Sequence, residues 1–486
     1  MKILANMKKS LKNLKIIVPF LLVLLFSNDA FCQEPTLSDM ITGNWKGRLE
    51  FGSAKLTLVL KITLTQDNIM KAWLDSPDQG AKDIEVTSIT VNGDSLIFYS
   101  APVRGRYQGQ WDKASQAING IWNQSGMDIP LVMVKTDSVP EYKRPQEPKP
   151  PFPYKSEEIS FTNQNGKIRL AGTLTLPEGK GPFPACILVS GSGPQNRDEE
   201  LLGHKPFMVI ADYLTRKGYA VLRYDDRGIG ASGGTYHTAT TLDMATDAKA
   251  AFDFLRNDER LISSKIGFIG HSEGGIIASV VATQNLATSF IILLAGPSVV
   301  GEEIILAQQE LISKAAGVDE KEIKSGLQLN KEIYSVIKKT KDTLQAAQKL
   351  TEILNRESSS LGTLNRMDEK TRAVFISEQV KSVNSPWFRA FLTLDPSQYL
   401  EQVRCPVLAF YGEKDLQVPP SVNVKPLKKA LAKAGNSDYE VLELAGLNHL
   451  FQKSATGLPG EYGQLEETFS PKVLEIISAW LALKTK

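Results

Sequence analysis

Three residue types that can share one reaction stand far apart in this chain: a serine, a carboxylate and a histidine. Gly270, Ser272 and Gly274, inside the stretch KIGFIGHSEGGIIAS at 265–279, match GxSxG, in which a strained strand-to-helix turn lifts a serine hydroxyl above a sheet. A side chain at 270 or 274 would collide with the neighbouring strand or helix, and the serine itself is expected at positive φ. The pentapeptide is common in a chain with 36 glycines, so its meaning depends on partners. A serine hydroxyl is a poor nucleophile until a histidine takes its proton and a carboxylate orients that histidine. Four histidines exist. His271 is held beside Ser272 by the turn and cannot reach its hydroxyl. His204 and His237 precede the serine, in loops or helix starts. His449 follows the last strand-like run, in AGLNHLF at 445–451, and is the expected base. The carboxylate should end the preceding strand, where the apolar run 407–411 leads into GEKDLQVPP. Asp415 is the candidate there, with Glu413 as the alternative.

An acyl-transfer intermediate also needs donors for its oxyanion. One is expected from the backbone N–H of Glu273, directly after the serine at a helix N-terminus. The second is expected from the glycine-rich loop GSGP at 191–194, which follows the apolar run 185–190. Ser192 N–H is the first choice and Gly193 N–H the next. Arg197, Asp198, Glu199 and Glu200 come next; carboxylates here would hold a substrate ammonium or, as favoured, form a structural turn in which Arg197 pairs with an acid. Asp225, Asp226 and Arg227 read as a further ion-paired turn.

The elements that must position these residues alternate. A hairpin is expected over 159–176, turning at Asn165 and Gly166. Short apolar runs follow at 185–190, 220–224, 266–269, 290–294, 407–411 and 439–444, with helix-like segments between most of them. Such runs belong to a mostly parallel sheet covered on both faces, so the region 155–486 is α/β. Between about 298 and 400 the alternation gives way to helical patterns at 302–315, 320–339, 342–356 and 369–382, too long for a loop and suited to a cap over the site. Trp387, Phe388 and Phe391 near its end are candidates for the substrate pocket, the competing role being packing of cap on core.

The first part of the chain has another texture. From 37 to 137, alternating runs such as 56–65, 84–91 and 96–99 are separated by turn pairs including Asn92-Gly93 and Asn119-Gly120. Trp45, Trp73, Trp111 and Trp122 lie here, and a small all-β barrel or sandwich with an aromatic core is expected. A ligand or glycan face is the alternative use of these rings. Residues 138–154 carry six prolines and read as an extended linker. At the N-terminus, five lysines precede the apolar run 16–26, and Ala30 and Cys32 suit a cleavage site before Gln33. An export signal over 1–32 is expected, giving a periplasmic or extracellular protein with no stable membrane anchor; lipid anchoring at Cys32 is disfavoured by the bulky Phe31. Cys186 and Cys405 then remain, expected as free thiols. A net charge of +2 without a basic run beyond the N-terminus argues against nucleic acid as a partner.

From 183 to the C-terminus the chain resembles the α/β-hydrolase superfamily, close to its serine aminopeptidase S33-like and secreted carboxylesterase branch. The stretches that carry this are SGSGPQNRDE at 190–199, DDRGIGAS at 225–232, GHSEGG at 270–275, GEKDLQVPP at 412–420 and GLNHLF at 446–451. The order Ser272, Asp415, His449 is that superfamily's order. Ser190 departs from the histidine many relatives place there. Gly43, Trp45 and Gly47 similarly resemble the first strand of lipocalin-like barrels. The resemblance implies an esterase or exopeptidase working without metal or organic cofactor. The resulting expectation is an exported serine hydrolase of small or medium acyl esters. The alternatives are a serine aminopeptidase or acyl-amide hydrolase and, in a different class, a non-catalytic protein binding envelope glycan through its β domain.

Overall fold

Period-2 patterning with tight turns folds the first third of the chain into one sheet. The computed structural model describes residues 37–486 except 52–53, 68, 125 and 359–367; the expected export signal and Cys32 lie outside the described residues. After helix α1 (Leu37–Met40) come β1 (Gly43–Phe51), β2 (Ala54–Leu64), β3 (Met70–Ser76), β4 (Ala81–Glu85) and β5 (Ser88–Asn92). They are followed by β6 (Ser95–Ser100), β7 (Gly105–Asp112), β8 (Ala117–Gln124) and β9 (Met127–Thr136). Paired antiparallel in the order β4-β3-β2-β1-β9-β8-β7-β6-β5, they form a single curled half-barrel. The run 84–91, expected as one strand, is broken between β4 and β5, which become the two ends of the sheet. Trp45, Phe98, Tyr107 and Trp122 fill the concave side. Trp45 Nε1–H donates to Ile41 O at 2.7 Å and Tyr107 O–H to Ile118 O at 2.9 Å, so the polar atoms of these rings are satisfied while their area is buried.

The proline-rich segment is docked instead of acting as a spacer. The Arg144 guanidinium donates to the carbonyls of Leu202 (3.1 Å), Gly203 (3.2 Å), Gly463 (2.7 Å) and Leu465 (2.8 Å). Gln146 Oε1 accepts from the N–H groups of Thr468 (2.6 Å) and Phe469 (3.0 Å). Gly80 packs directly on the backbone of Gly203. The half-barrel is therefore bolted to the second sheet's loops.

That second sheet comprises β10 (Lys155–Asn163), β11 (Ile168–Leu176), β12 (Phe183–Val189), β13 (Ala220–Tyr224), β14 (Leu261–His271), β15 (Ile291–Leu294), β16 (Val407–Gly412) and β17 (Tyr439–Leu444). Its order is β10-β11-β13-β12-β14-β15-β16-β17, antiparallel at β10 and β11 and parallel thereafter. Every residue of β13, β15 and β16 is buried. Helices α2 (Pro206–Arg216), α3 (Thr241–Arg256) and α4 (Glu273–Gln284) pack on it, as do α11 (Pro420–Lys433) and α12 (Pro471–Lys484). This is the α/β-hydrolase fold.

Between β15 and β16 stand α5 (Gly301–Ala315), α6 (Glu320–Lys339), α7 (Thr343–Glu357), α8 (Glu369–Val383), α9 (Pro386–Thr393) and α10 (Ser397–Leu400). Side chains of Asp319, Asp342, Asp368 and Ser385 cap α6 to α9, accepting from backbone N–H groups of the first turn. The helices share a core of their own that includes Tyr334, Ile337, Leu350, Ile376 and Leu392.

Candidate active site

Strand β14 ends at His271 and helix α4 begins at Glu273, so the chain turns on one residue. Ser272 takes φ 51° and ψ −120°, a strained conformation costing about 1–3 kcal/mol. Its N–H donates to Leu294 O at 2.8 Å and its carbonyl accepts from Gly275 N–H at 2.9 Å. The flanking glycines are required by contact. A Cβ on Gly270 would stand 2.1 Å from Gly274 O, and one on Gly274 would stand 2.1 Å from Val189 O.

Asp415 lies in the turn after β16 and His449 in the loop after β17. His449 Nδ1 is 2.8 Å from Asp415 Oδ2, while Asp415 Oδ1 accepts from the N–H groups of Gln417 and Val418, both at 2.8 Å. One oxygen is thus held by the turn and the other left for the imidazole; both side chains are buried. Glu413, the alternative carboxylate, is exposed and accepts from Gly446 N–H at 2.8 Å. The His449 ring centroid is 4.8 Å from that of His271, the residue before Ser272, which brings His449 close to the turn that carries Ser272. Ser272 Oγ has no hydrogen-bond partner among the described residues.

The loop after β12 lies against the serine: a Cβ on Gly191 would be 3.2 Å from Ser272 Cβ. Its three N–H groups differ. Gly191 N–H donates to Glu199 Oε1 at 2.7 Å and Gly193 N–H to Tyr236 Oη at 2.9 Å, whereas Ser192 N–H makes no hydrogen bond among the described residues. Glu273 N–H opens α4, and of the three loop N–H groups Ser192 N–H is the one left without a hydrogen bond among the described residues. The acidic run that follows is consumed internally. Arg197 binds Asp225 at 2.8 Å and also pairs with Glu158, and Asp198 pairs with Arg223. Arg227 binds Asp247 at 2.7 Å. Asp226 departs from the expected ion-paired turn. It accepts from Ser190 Oγ (2.9 Å) and Gln195 N–H (3.0 Å), with no cation bonded to it among the described residues, and burial pushes its pKa up to about 8.

A narrow crevice with a cavity volume of about 10 Å³, room for about one water, lies next to Glu273 and is lined by residues including Gly193, Asp226, Tyr236, Glu273 and Trp387. Glu273 is buried, which raises its pKa; its carboxyl accepts from Thr241 Oγ1 at 2.6 Å and Trp387 Nε1 at 2.9 Å. Trp387, on α9, is therefore anchored at the site. Phe391 stacks behind it at 5.0 Å, while Phe388 meets Tyr334, 5.7 Å away, in the cap's own core. His204 is buried between Thr468 and Tyr462, and burial brings its pKa down to about 4; His237 is exposed. Sequence reasoning gave no individual role to Glu199, Tyr236 or the Glu273 side chain. The acidic run containing Glu199 was visible, but its partner His271 is 72 residues away. Among the described residues no group of three or more His, Cys, Asp or Glu could hold a metal ion, and Cys186 and Cys405 are free.

Comparison with known proteins gives one family match and several similar chains. The family model for serine aminopeptidase, S33, matches residues 205–453, just over half of the chain. The chain is similar to Esterase EstD of Thermotoga maritima, 26% identical over 316 residues that cover 64% of this chain and 65% of that protein. Among solved structures it is similar to the Pyrococcus furiosus esterase Pf2001, with TM-score 0.41 and 16% identity over 68% of this chain and 93% of that one. It is also similar to Est1E from Butyrivibrio proteoclasticus with ferulic acid bound, with a TM-score of 0.37 and 14% identity over 67% and 97% of the two chains. On the family match, with the fold in agreement, the chain belongs to the serine aminopeptidase S33 family.

Proposed function

We propose that this protein is a serine hydrolase that cleaves carboxylic esters through an acyl-enzyme. The observation that carries the reading is the buried Asp415–His449 pair beside a serine held at positive φ. Ser272 Oγ attacks the ester carbonyl carbon as its proton passes to His449 Nε2. Asp415 Oδ2 accepts from Nδ1–H and stabilises the imidazolium. The oxyanion takes hydrogen bonds from Glu273 N–H and Ser192 N–H, or from Gly193 N–H if Tyr236 releases it; each such donor is worth about 10²–10³ in rate. The alcohol leaves with the proton from His449, and water then repeats the sequence on the acyl-enzyme.

Two observations favour esters over aminoacyl substrates. Asp198 is paired with Arg223 and Glu199 is bonded to His271, so these two carboxyls are not open to a substrate ammonium. The similar protein of Thermotoga maritima is named an esterase. The buried rings of Trp45 and Trp122 favour core packing over a glycan face, and so favour catalysis over a pure binding role. The reading includes export by the 1–32 segment, with Gln33 as the mature N-terminus.

A fluorophosphonate probe and a panel of p-nitrophenyl esters and aminoacyl p-nitroanilides test this. The expected result is labelling lost in Ser272→Ala, with turnover of esters and little of anilides. Labelling that survives Ser272→Ala overturns the mechanism, and faster turnover of the anilides overturns the substrate class.

A further inference from the structure

One buried pair of titratable groups links three segments around this site without belonging to the serine, histidine and aspartate themselves. Glu199 Oε1 accepts from Gly191 N–H at 2.7 Å and lies 2.9 Å from His271 Nδ1; His271 Nε2 lies 3.0 Å from the carbonyl oxygen of His449. Glu199 is 5% exposed and His271 7%. Glu199 also holds φ 49°, a left-handed conformation seldom kept by a side chain of this size. The contacts join the loop after β12, the residue preceding the nucleophile and the backbone of the base.

Counting protons narrows the state of the pair. A carbonyl oxygen only accepts, so His271 Nε2 carries a hydrogen. Glu199 Oε1 accepts from Gly191 N–H, and the proton between it and Nδ1 belongs either to an imidazolium facing a carboxylate or to a Glu199 carboxyl facing a neutral imidazole. An imidazolium facing a carboxylate satisfies all three contacts together. Burial acts to lower the His271 pKa, but the charge and hydrogen bond of Glu199, helped by the His449 carbonyl, outweigh it and the pKa is raised.

We propose that Glu199 and His271 are positioning residues: a strap that holds the 191–193 loop and the His449 backbone in register with Ser272. The proposal rests on the reading of Ser272 as nucleophile and His449 as base. Glu199 acts through the Gly191 N–H, whose capture leaves Ser192 N–H as the donor presented to the oxyanion. His271 acts through the His449 carbonyl, which sets where that imidazole can sit.

Glu199→Gln tests this with little change of shape. Gly191 and His271 converge on one oxygen. If that position is amide oxygen, a neutral His271 donating from Nδ1 turns an Nε2 lone pair on the His449 carbonyl. If it is amide NH2, Gly191 N–H faces a donor. Either way one contact breaks. The expected loss in kcat/KM is about 10- to 100-fold, as for one charged hydrogen bond. It should fall on kcat with KM near wild type, and affinity for an alkyl trifluoromethyl ketone, which mimics the tetrahedral intermediate, should fall in parallel. His271→Gln should give the same pattern, and both variants should melt within a few degrees of wild type. Ser272→Ala and His449→Ala run alongside: if they retain turnover, the parent reading fails. If they are inactive while Glu199→Gln and His271→Gln keep wild-type kcat and ketone affinity, the strap is refuted. Unfolding of both strap variants, or a loss confined to KM, refutes it equally.

Discussion

Replacing Asp415 with asparagine alters one atom beside His449 and leaves the outline of the side chain unchanged. The structure dictates how the amide must lie. Asp415 Oδ1 accepts from two backbone N–H groups at 2.8 Å, so the amide oxygen must take that place. The flipped orientation would set an NH2 against both donors and forfeit two buried hydrogen bonds, about 2–6 kcal/mol together. The NH2 therefore faces His449 Nδ1, to which it can only donate. The imidazole then carries its proton on Nε2 and has no lone pair to accept the Ser272 proton. The expected fall in kcat is about 10⁴-fold, as for the same change in a triad whose geometry survives, or about 5.5 kcal/mol on the barrier. KM should stay within a few-fold of wild type, because no substrate contact is removed. Steady-state hydrolysis of p-nitrophenyl acetate, with a thermal melt of the same samples, measures both. A kcat within tenfold of wild type would refute the reasoning, as would a larger loss in Glu413→Gln than in Asp415→Asn.

Gly274→Ala would place a methyl 2.1 Å from Val189 O and 2.7 Å from Ser190 O, backbone that cannot retreat without displacing the 191–193 loop. A loss of about 1–3 kcal/mol or more in stability is expected together with a fall in kcat; a wild-type melt and rate would contradict the packing argument. Burial pushes the Asp226 pKa up to about 8 from an ordinary 3.8, so between these values the folded chain holds a proton that the unfolded chain has released. Its contribution to stability is present below the lower pKa and lost as pH rises through the upper one. The melting temperature of wild type should therefore fall relative to Asp226→Asn across that window, and two parallel pH profiles would show that Asp226 is not buried as a neutral acid.

The elements that carry the site were legible in the sequence because their signals are local. Short apolar runs ending in glycine turns marked the strands that present Ser272, Asp415 and His449, and aspartates at 319, 342 and 368 open helices whose 3.6-residue patterning was visible beforehand. Helix α9 was not foreseen, although Pro386 and Ser385 mark its start; eight residues with three aromatics show too little periodicity. The split of the run 84–91 was equally hidden, since both pieces have strand composition and only the closing of the half-barrel separates them.

Sequence by itself determined which residues were chemically equipped: a serine between clearance glycines, a histidine and an aspartate each following a buried strand, and a glycine loop able to approach a substrate. Tertiary structure alone decided how their surroundings are used. It docked the proline-rich segment through Arg144, turned Phe388 into the cap and Trp387 onto Glu273, and left Asp226 bonded to Ser190 and Gln195 instead of a cation. It also joined Glu199 to His271 across 72 residues and His271 to His449 across 178. Turns and periodicities are written in neighbouring residues, whereas the partner a buried polar group finds depends on which distant backbone and side-chain atoms the folded sheet brings within hydrogen-bond reach.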